Sequence, residues 1–194
     1  MDYPLQLSFK LIAIARQVSV RDAGNNLICY VKQKAFKLKE SITVFADSEQ
    51  TRPLYTIQAD RVLDFRARYN FADAAGNYLG SIKRQGMRSI WRAHYDVLDG
   101  ESLEFTITEE SAWTKVLDAL IGEIPVLGMF TGYLFHPAYL VKRTNGAVVM
   151  RLEKQPAFFE GKFQITKHGD LDPREETRAL LAIIMTVLLE RSRG

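Results

Sequence analysis

The sequence has little cysteine and little charge imbalance. Cys29 is the single cysteine, so the chain cannot form an internal disulfide. The 26 basic and 23 acidic residues give a net charge of +3 at pH 7, too small to indicate a dedicated nucleic-acid-binding protein. Residues 1–5 show neither the start of a signal peptide nor a glycine at position 2. We therefore expect a cytoplasmic, unlipidated protein, and its charge does not favour nucleic acid as a partner.

Motifs for catalysis and metal binding are also missing. His94, His136 and His168 are isolated, and the sequence has no nucleophile elbow, Walker loop or dinucleotide-binding glycine motif. Cys29 lies in the apolar stretch 27–31 and is interpreted as a small core residue. The sequence thus predicts neither metal nor cofactor and favours a protein that is not an enzyme. An enzyme that uses scattered polar groups at one end of its fold remains an alternative.

What the sequence does contain is a regular turn signal. With 194 residues, 47% of them hydrophobic, the chain suits a single domain over residues 1–194. Acidic turn residues recur at intervals of 25, 26 and 26 residues, and glycine follows most of them closely. They are Asp22, Asp47, Asp73 and Asp99. A unit of this length holds two strands, so the spacing predicts repeated hairpins.

Alternating apolar and polar residues between the turns indicate antiparallel strands. Leu103, Phe105 and Ile107 alternate with polar residues, and residues 65–71 and 91–97 show the same period of two. Strands of this kind have one face in the core and one in solvent. A meander of hairpins that closes into a barrel therefore fits the first hundred residues.

The second half combines further strands with two other patterns. Asn145 and Gly146 form the strongest two-residue hairpin signal in the chain. Residues 109–121 have apolar side chains at helical spacing and predict an inserted amphipathic helix. Residues 124–139 are apolar but interrupted by proline and glycine, so they predict a connection that is buried or touches a membrane.

The last segment predicts a buried helix at about residues 173–191. Asp172 is a suitable N-cap, Pro173 suits the first helical position, and Glu175 completes a capping box. Between residues 179 and 189 only Thr186 is polar, so no face of this helix suits water. Eleven residues cover only about 17 Å, too short to cross a bilayer. The strands are therefore expected to enclose this helix.

A hairpin series with Asp-x-x-Gly turns, followed by an apolar helix that ends in Leu188-Leu189-Glu190-Arg191-Ser192-Arg193-Gly194, resembles the tubby C-terminal-like superfamily. The nearest branch is that of the LURP-one-related and phospholipid-scramblase-like proteins. The resemblance covers nearly the whole chain. It implies a mainly β fold, a closed antiparallel barrel of about twelve strands around a central C-terminal hydrophobic helix. It also implies contact with lipid rather than catalysis. The cysteine-rich and acidic calcium-binding segments of scramblases have no counterpart in this sequence.

Basic residues are concentrated in one part of the chain. Six of them, on the polar phase of predicted strands or beside them, form a candidate patch for phosphate head groups. They are Arg66, Arg68, Lys83, Arg84, Arg88 and Arg92. The alternative is an ordinary solvated face whose charges protect the sheet.

These observations favour a non-enzymatic binding domain for an anionic phospholipid or phosphorylated ligand, in the cytoplasm and peripheral at a membrane. The competing hypothesis is a protein-interaction or scaffold domain without a lipid role. The sequence identifies neither the ligand nor the oligomeric state.

Overall fold

Along the strands of this protein, side chains point alternately into and out of the fold, as the two-residue period predicts. The structure is a computed structural model, and it describes residues 1–12, 15–34, 41–61, 67–85, 94–110, 138–156 and 161–191. These residues contain twelve strands and one helix. The strands are β1 (Leu5–Ile12), β2 (Ala15–Arg21), β3 (Leu27–Lys34), β4 (Ser41–Phe45), β5 (Pro53–Ala59), β6 (Arg68–Asp73), β7 (Tyr78–Arg84), β8 (His94–Asp99), β9 (Ser102–Glu109), β10 (Ala138–Arg143), β11 (Val148–Gln155) and β12 (Gly161–Lys167). The helix is α1 (Pro173–Arg191).

The strands form a closed barrel in which each pairs antiparallel with its neighbours in sequence, and β12 pairs with β1. A meander of this kind closes because every strand edge finds a partner. In this order β7 lies opposite β1, six strands away in either direction. The predicted closed barrel is therefore confirmed, and its two most distant walls are centred on β1 and β7.

Aspartate side chains shape the hairpin turns at one end of the barrel. Asp22 accepts a hydrogen bond from the backbone N–H of Asn26 at 2.8 Å, and Asp73 accepts one from Asn77 at the same distance. Asp47 accepts a similar bond from the N–H of Thr51 at 3.0 Å. Strands in a meander reverse at alternate ends, so the repeating unit of two strands places all these turns together. The regular spacing in the sequence thus reflects this geometry.

α1 begins with the predicted cap. One carboxylate oxygen of Asp172 accepts hydrogen bonds from the N–H groups of Arg174 and Glu175, both at 2.8 Å, and the Glu175 carboxylate accepts one from the N–H of Asp172 at 3.0 Å. Every residue from Arg178 to Leu188 is buried. The barrel therefore encloses the apolar helix, and Ile184 at its centre is fully buried.

A buried arginine ties α1 to the wall. Arg178 is 1% exposed; its guanidinium donates to the carbonyl of Leu79 at 2.5 Å and pairs with the carboxylates of Glu104 and, at 2.9 Å, Asp99. Its path requires Gly80, because a Cβ there would lie 2.5 Å from Arg178 Nε. The φ of Gly80, +145°, is also one that other residues rarely adopt. Glycine at position 80 therefore makes room for the ion pairs that hold the helix.

Several predictions need qualification. Leu103 was predicted to face the core but is 41% exposed, because the register between β8 and β9 shifts at Val97 and Leu98 and takes the end of β9 out of phase. Glu109 is the last residue of β9. Residues 111–121 of the predicted helix over 109–121, and most of 124–139, lie outside the described residues. Within the described part of the chain, no helix is long and apolar enough to cross a membrane.

Candidate anion-binding face

The six predicted basic residues fall into three groups. Arg66, Arg88 and Arg92 lie outside the described residues. Arg68 on β6 and Lys83 on β7 are cross-strand neighbours on the outer surface of the barrel. Arg84 points inward. The structure therefore shows two of the six side by side on one outer wall.

Acidic groups neutralise much of the charge around Arg68 and Lys83. Both guanidinium ends of Arg68 donate to the Glu101 carboxylate, at 2.5 and 3.0 Å. Lys83 lies opposite Asp96 in the strand register, and its charge, after the hydrogen bond and charge of Arg68, helps to lower the pKa of Glu101. We call β6 to β9 the paired wall, since Arg68 contacts the acidic Glu101 in the turn between β8 and β9.

Arg84 corrects the expectation that these residues face outward. It has the same strand phase as Ile82, which is fully buried, and is itself only 9% exposed. Its guanidinium lies 5.7 Å from the centre of the Tyr95 ring and 4.0 Å from the carboxylate of Glu190 on α1. The Tyr95 hydroxyl donates to that same carboxylate at 2.5 Å. Arg84 therefore belongs to a polar cluster around the end of the helix.

The opposite side of the barrel has a different charge distribution. Strands β12, β1, β2 and β3 are consecutive neighbours and contain no aspartate or glutamate. Their basic residues are Lys10, Arg16, Arg21, Lys32, Lys34, Lys162 and Lys167. We call these four strands the acid-free wall. Lys167 reaches Glu176 on the helix at 3.5 Å. For Arg21, Lys32 and Lys162, the described residues provide no acidic partner within ion-pair distance.

Strand register arranges the outer face of the acid-free wall in rows. Ser8 lies opposite Lys162 on β12 and opposite Ser19 on β2, and Ser19 lies opposite Tyr30 on β3. Side chains opposite each other on antiparallel strands are about 5 Å apart at Cβ. Three hydroxyl groups therefore follow one another across three strands, with a lysine at one end of the row.

Cations lie on both sides of this hydroxyl row. Two residues beyond the hydroxyl row in one direction along the strands, Lys10 on β1 and Lys32 on β3 both lie opposite Gln17 on β2. In the other direction Arg21 lies opposite Gln6, and its guanidinium donates to the carbonyl of Asn25 at 2.9 Å. The row of hydroxyls thus has basic residues in both directions along the strands, and a lysine at one of its own ends.

The rows surround a shallow concavity of about 150 Å³. Its lining contains the hydroxyl row, two cations and the edge of a turn. The lining residues are Ser8, Lys10, Gln17, Ser19, Arg21, Leu27, Tyr30 and Ser48. At its margin the Ser48 hydroxyl donates to Glu49 at 2.9 Å. Partial burial first, and then the Glu49 charge, raise the pKa of Tyr30, so its hydroxyl stays a proton donor at neutral pH.

The sequence does contain a signal for this face. A high local density of arginine predicts the basic patch, and it selects Arg68 and Arg84, each of which the fold places beside a carboxylate. The informative signal was the lack of acidic residues over 5–12, 15–21, 27–34 and 161–167. It becomes visible only when the closure of β12 onto β1 is known, because that contact joins the two ends of the chain.

The architecture and the sequence together identify the family of this chain. A closed barrel of twelve antiparallel strands around a buried C-terminal helix is the architecture that the resemblance to the tubby-like superfamily implied. The chain belongs to the LURP-one-related family, whose model matches residues 27–186. The predicted resemblance is thereby confirmed.

A solved structure supports the same fold. The X-ray structure of a protein from Arabidopsis thaliana superposes with a TM-score of 0.52 at 16% sequence identity, covering 97% of this chain and 91% of that one. At this identity the similarity concerns the fold alone. Among curated proteins, the comparison finds no match.

Proposed function

We propose that this protein is a non-enzymatic binding domain that docks on anionic phospholipid through the acid-free wall. The observation that carries the proposal is the placement of four neighbouring strands with basic and hydroxyl side chains and no acidic residue. Basic residues near an anionic bilayer contribute about 1 kcal/mol each. The proposal places the domain in the cytoplasm, peripheral to the membrane, and concerns binding rather than lipid transfer between leaflets.

The number of cations sets the expected strength of binding. Three of them, Arg21, Lys32 and Lys162, lie on the outer face without an acidic partner among the described residues. At about 1 kcal/mol each they favour the anionic surface by roughly 3 kcal/mol, or about 150-fold. Binding of this kind is reversible and weakens as salt is added, because the charges act through solvent.

The chemistry of Cys29 supports a role without catalysis. Its side chain is 3% exposed, and burial raises the pKa of the thiol to about 12. The thiolate, which is the nucleophilic form, is therefore strongly disfavoured at neutral pH. The single cysteine is thus suited to the core, as the sequence predicted.

The test is sedimentation with phosphatidylcholine vesicles that contain or lack phosphatidylserine. The wild-type protein is expected to bind only the anionic vesicles and to dissociate at high salt. Lys32→Gln with Lys162→Gln removes two charges from the acid-free wall and should weaken binding by roughly 30-fold. The matched control, Arg68→Gln with Lys83→Gln, removes the same charge from the paired wall and should bind like the wild type.

Two results would contradict the proposal. If the control loses binding while the Lys32 and Lys162 variant keeps it, the docking site is the patch around Arg68 and Lys83. If the wild-type protein ignores anionic vesicles, the lipid role is wrong. A partner protein captured without any dependence on lipid would then support the interaction-domain hypothesis.

A further inference from the structure

The hydroxyl row gives the acid-free wall hydrogen-bond donors that attraction to a charged surface does not need. Within the described residues, the hydroxyls of Ser8, Ser19 and Tyr30 form no hydrogen bond with another protein group. Each can donate one hydrogen bond outward. Charge attraction to a membrane needs only the cations, so the row offers directional donors for a ligand atom.

The dimensions of the concavity limit what the donors can hold. Its volume of about 150 Å³ is below the roughly 300 to 1,000 Å³ of pockets that enclose drug-sized ligands. At about 30 Å³ per water molecule, it accommodates a group the size of a phosphate with a few waters. A larger ligand would therefore insert one such group and leave the remainder outside.

The cations around the concavity also favour a phosphate group. Arg21 and Lys10 line the concavity, and Lys32 and Lys162 flank it. Hydrogen bonds from charged donors to phosphate oxygens are stronger than those between neutral groups. Glu49, at the turn margin, is the acidic residue that the structure places beside Tyr30. Arg21, Lys32 and Lys162 on the other sides outnumber it.

We infer that the concavity is a site for a phosphomonoester, presented by a phospholipid head group and held by the hydroxyls of Ser8, Ser19 and Tyr30 between the flanking cations. This inference rests on the proposed docking of the acid-free wall. A phosphomonoester ends in three free oxygens and carries a charge of about −1.5 to −2 at pH 7. A phosphodiester has two free oxygens and two substituents, so it presents fewer acceptors and enters a shallow site less deeply.

Vesicle binding distinguishes specific recognition from general attraction. Vesicles with phosphatidic acid, a monoester, are compared with vesicles whose phosphatidylserine content is adjusted to the same electrophoretic mobility. Wild-type protein is expected to bind phosphatidic acid about tenfold more tightly. Ser8→Ala with Ser19→Ala should abolish this preference and leave binding to phosphatidylserine unchanged. The control, Ser41→Ala with Ser102→Ala, removes two serine hydroxyls from other strands and should retain the preference.

The outcomes separate the two proposals. Equal binding to both vesicles, unaffected by the Ser8 and Ser19 changes, overturns the phosphomonoester site but leaves docking of the acid-free wall intact. No binding to either vesicle overturns the docking itself. Glycerol 3-phosphate serves as a soluble phosphomonoester that can bind without a membrane. If it raises the melting temperature of wild-type protein but not of the Ser8 and Ser19 variant, while vesicles do not bind, the site is supported and its phosphate comes from a soluble molecule.

Discussion

The paired wall and the acid-free wall use similar residues for different purposes. In the paired wall, the carboxylates of Asp99 and Glu104 hold Arg178 of the helix, and Glu101 holds Arg68. In the acid-free wall, Arg191 of the helix lies over the rings of Phe9 and Phe163, at 5.7 and 5.8 Å from their centres. Both walls therefore contact the helix through charged groups, since Lys167 of the acid-free wall pairs with Glu176, but only the acid-free wall has Arg21, Lys32 and Lys162 on its outer face without an acidic partner among the described residues.

This contrast shows why the density of basic residues is a weak guide to a binding site. A cation that already has a carboxylate partner has lost much of its attraction for a phosphate, because the pair is nearly neutral at a distance. The availability of a charge depends on what the fold places beside it. Changes in each wall can test whether the division between structure and binding holds.

The largest effect is expected in the element that both walls enclose. Ile184→Asp places a carboxylate at a fully buried position of α1 without a partner. Burying such a charge costs many kcal/mol, comparable with the whole stability of a domain, so the variant should be insoluble or lack a cooperative melt. Ile184→Val, the control, should cost only about 1 kcal/mol. A cooperative, unchanged thermal melt of Ile184→Asp would contradict the burial of the helix.

Removing the buried guanidinium should have the next largest effect. Arg178→Met leaves Glu104 without its partner, and breaking a buried ion pair costs about 3 to 5 kcal/mol. Urea denaturation should show this loss. Arg174→Met is the matched control, because the Arg174 side chain is exposed and, among the described contacts, donates only to the carbonyl of Tyr78. Equal stability of both variants would mean that the paired wall does not hold the helix through its charges.

The two walls should resemble each other in how much their aspartate hairpin turns contribute to stability. Asp22 turns the chain between β2 and β3, and Asp73 does so between β6 and β7. Hydrogen bonds from the side-chain amides of Asn26 and Asn77, and then from their backbone N–H groups, lower the pKa of the two aspartates. A lowered pKa in the folded state contributes stability above the ordinary value of about 3.8, and this is lost as pH falls through the folded value.

Asp22→Ala and Asp73→Ala should therefore lower the melting temperature at pH 7 by similar amounts, less than Arg178→Met does. The difference from the wild type should shrink below about pH 3.8, where the wild-type carboxylates also become protonated. Thermal melts across the acid range measure this. A loss in only one of the two variants would show that the turns of the two walls are not equivalent.

The sequence predicted the features that arise from local rules. The strand period, the aspartate turns and the capping box at Asp172 depend on nearby residues, and the apolar stretch after Arg178 required enclosure whatever surrounded it. Outward or inward position was harder to predict. Arg84 has the phase of Ile82, but its charge suggested the outer face, and Leu103 leaves the core because a bulge shifts its register.

The candidate site could not be predicted because it depends on contacts between distant parts of the chain. Lys162 meets Ser8 only through the pairing of β12 with β1, and Arg68 meets Glu101 across a separation of 33 residues. Local charge density carries no information about either contact. A topology must be known before paired and unpaired cations can be distinguished.

The smallest effect is expected from releasing a cation in the paired wall. Glu101→Gln removes the carboxylate that holds Arg68 through two hydrogen bonds. Exposed ion pairs contribute little to stability, so the melting temperature should barely change. β7 lies opposite β1 in the barrel, and a rigid barrel that rests on the acid-free wall keeps Arg68, on the neighbouring β6, away from the membrane. Vesicle binding should therefore stay at the wild-type level. A rise of about fivefold, the effect of one added cation at an anionic surface, would show that the paired wall docks as well.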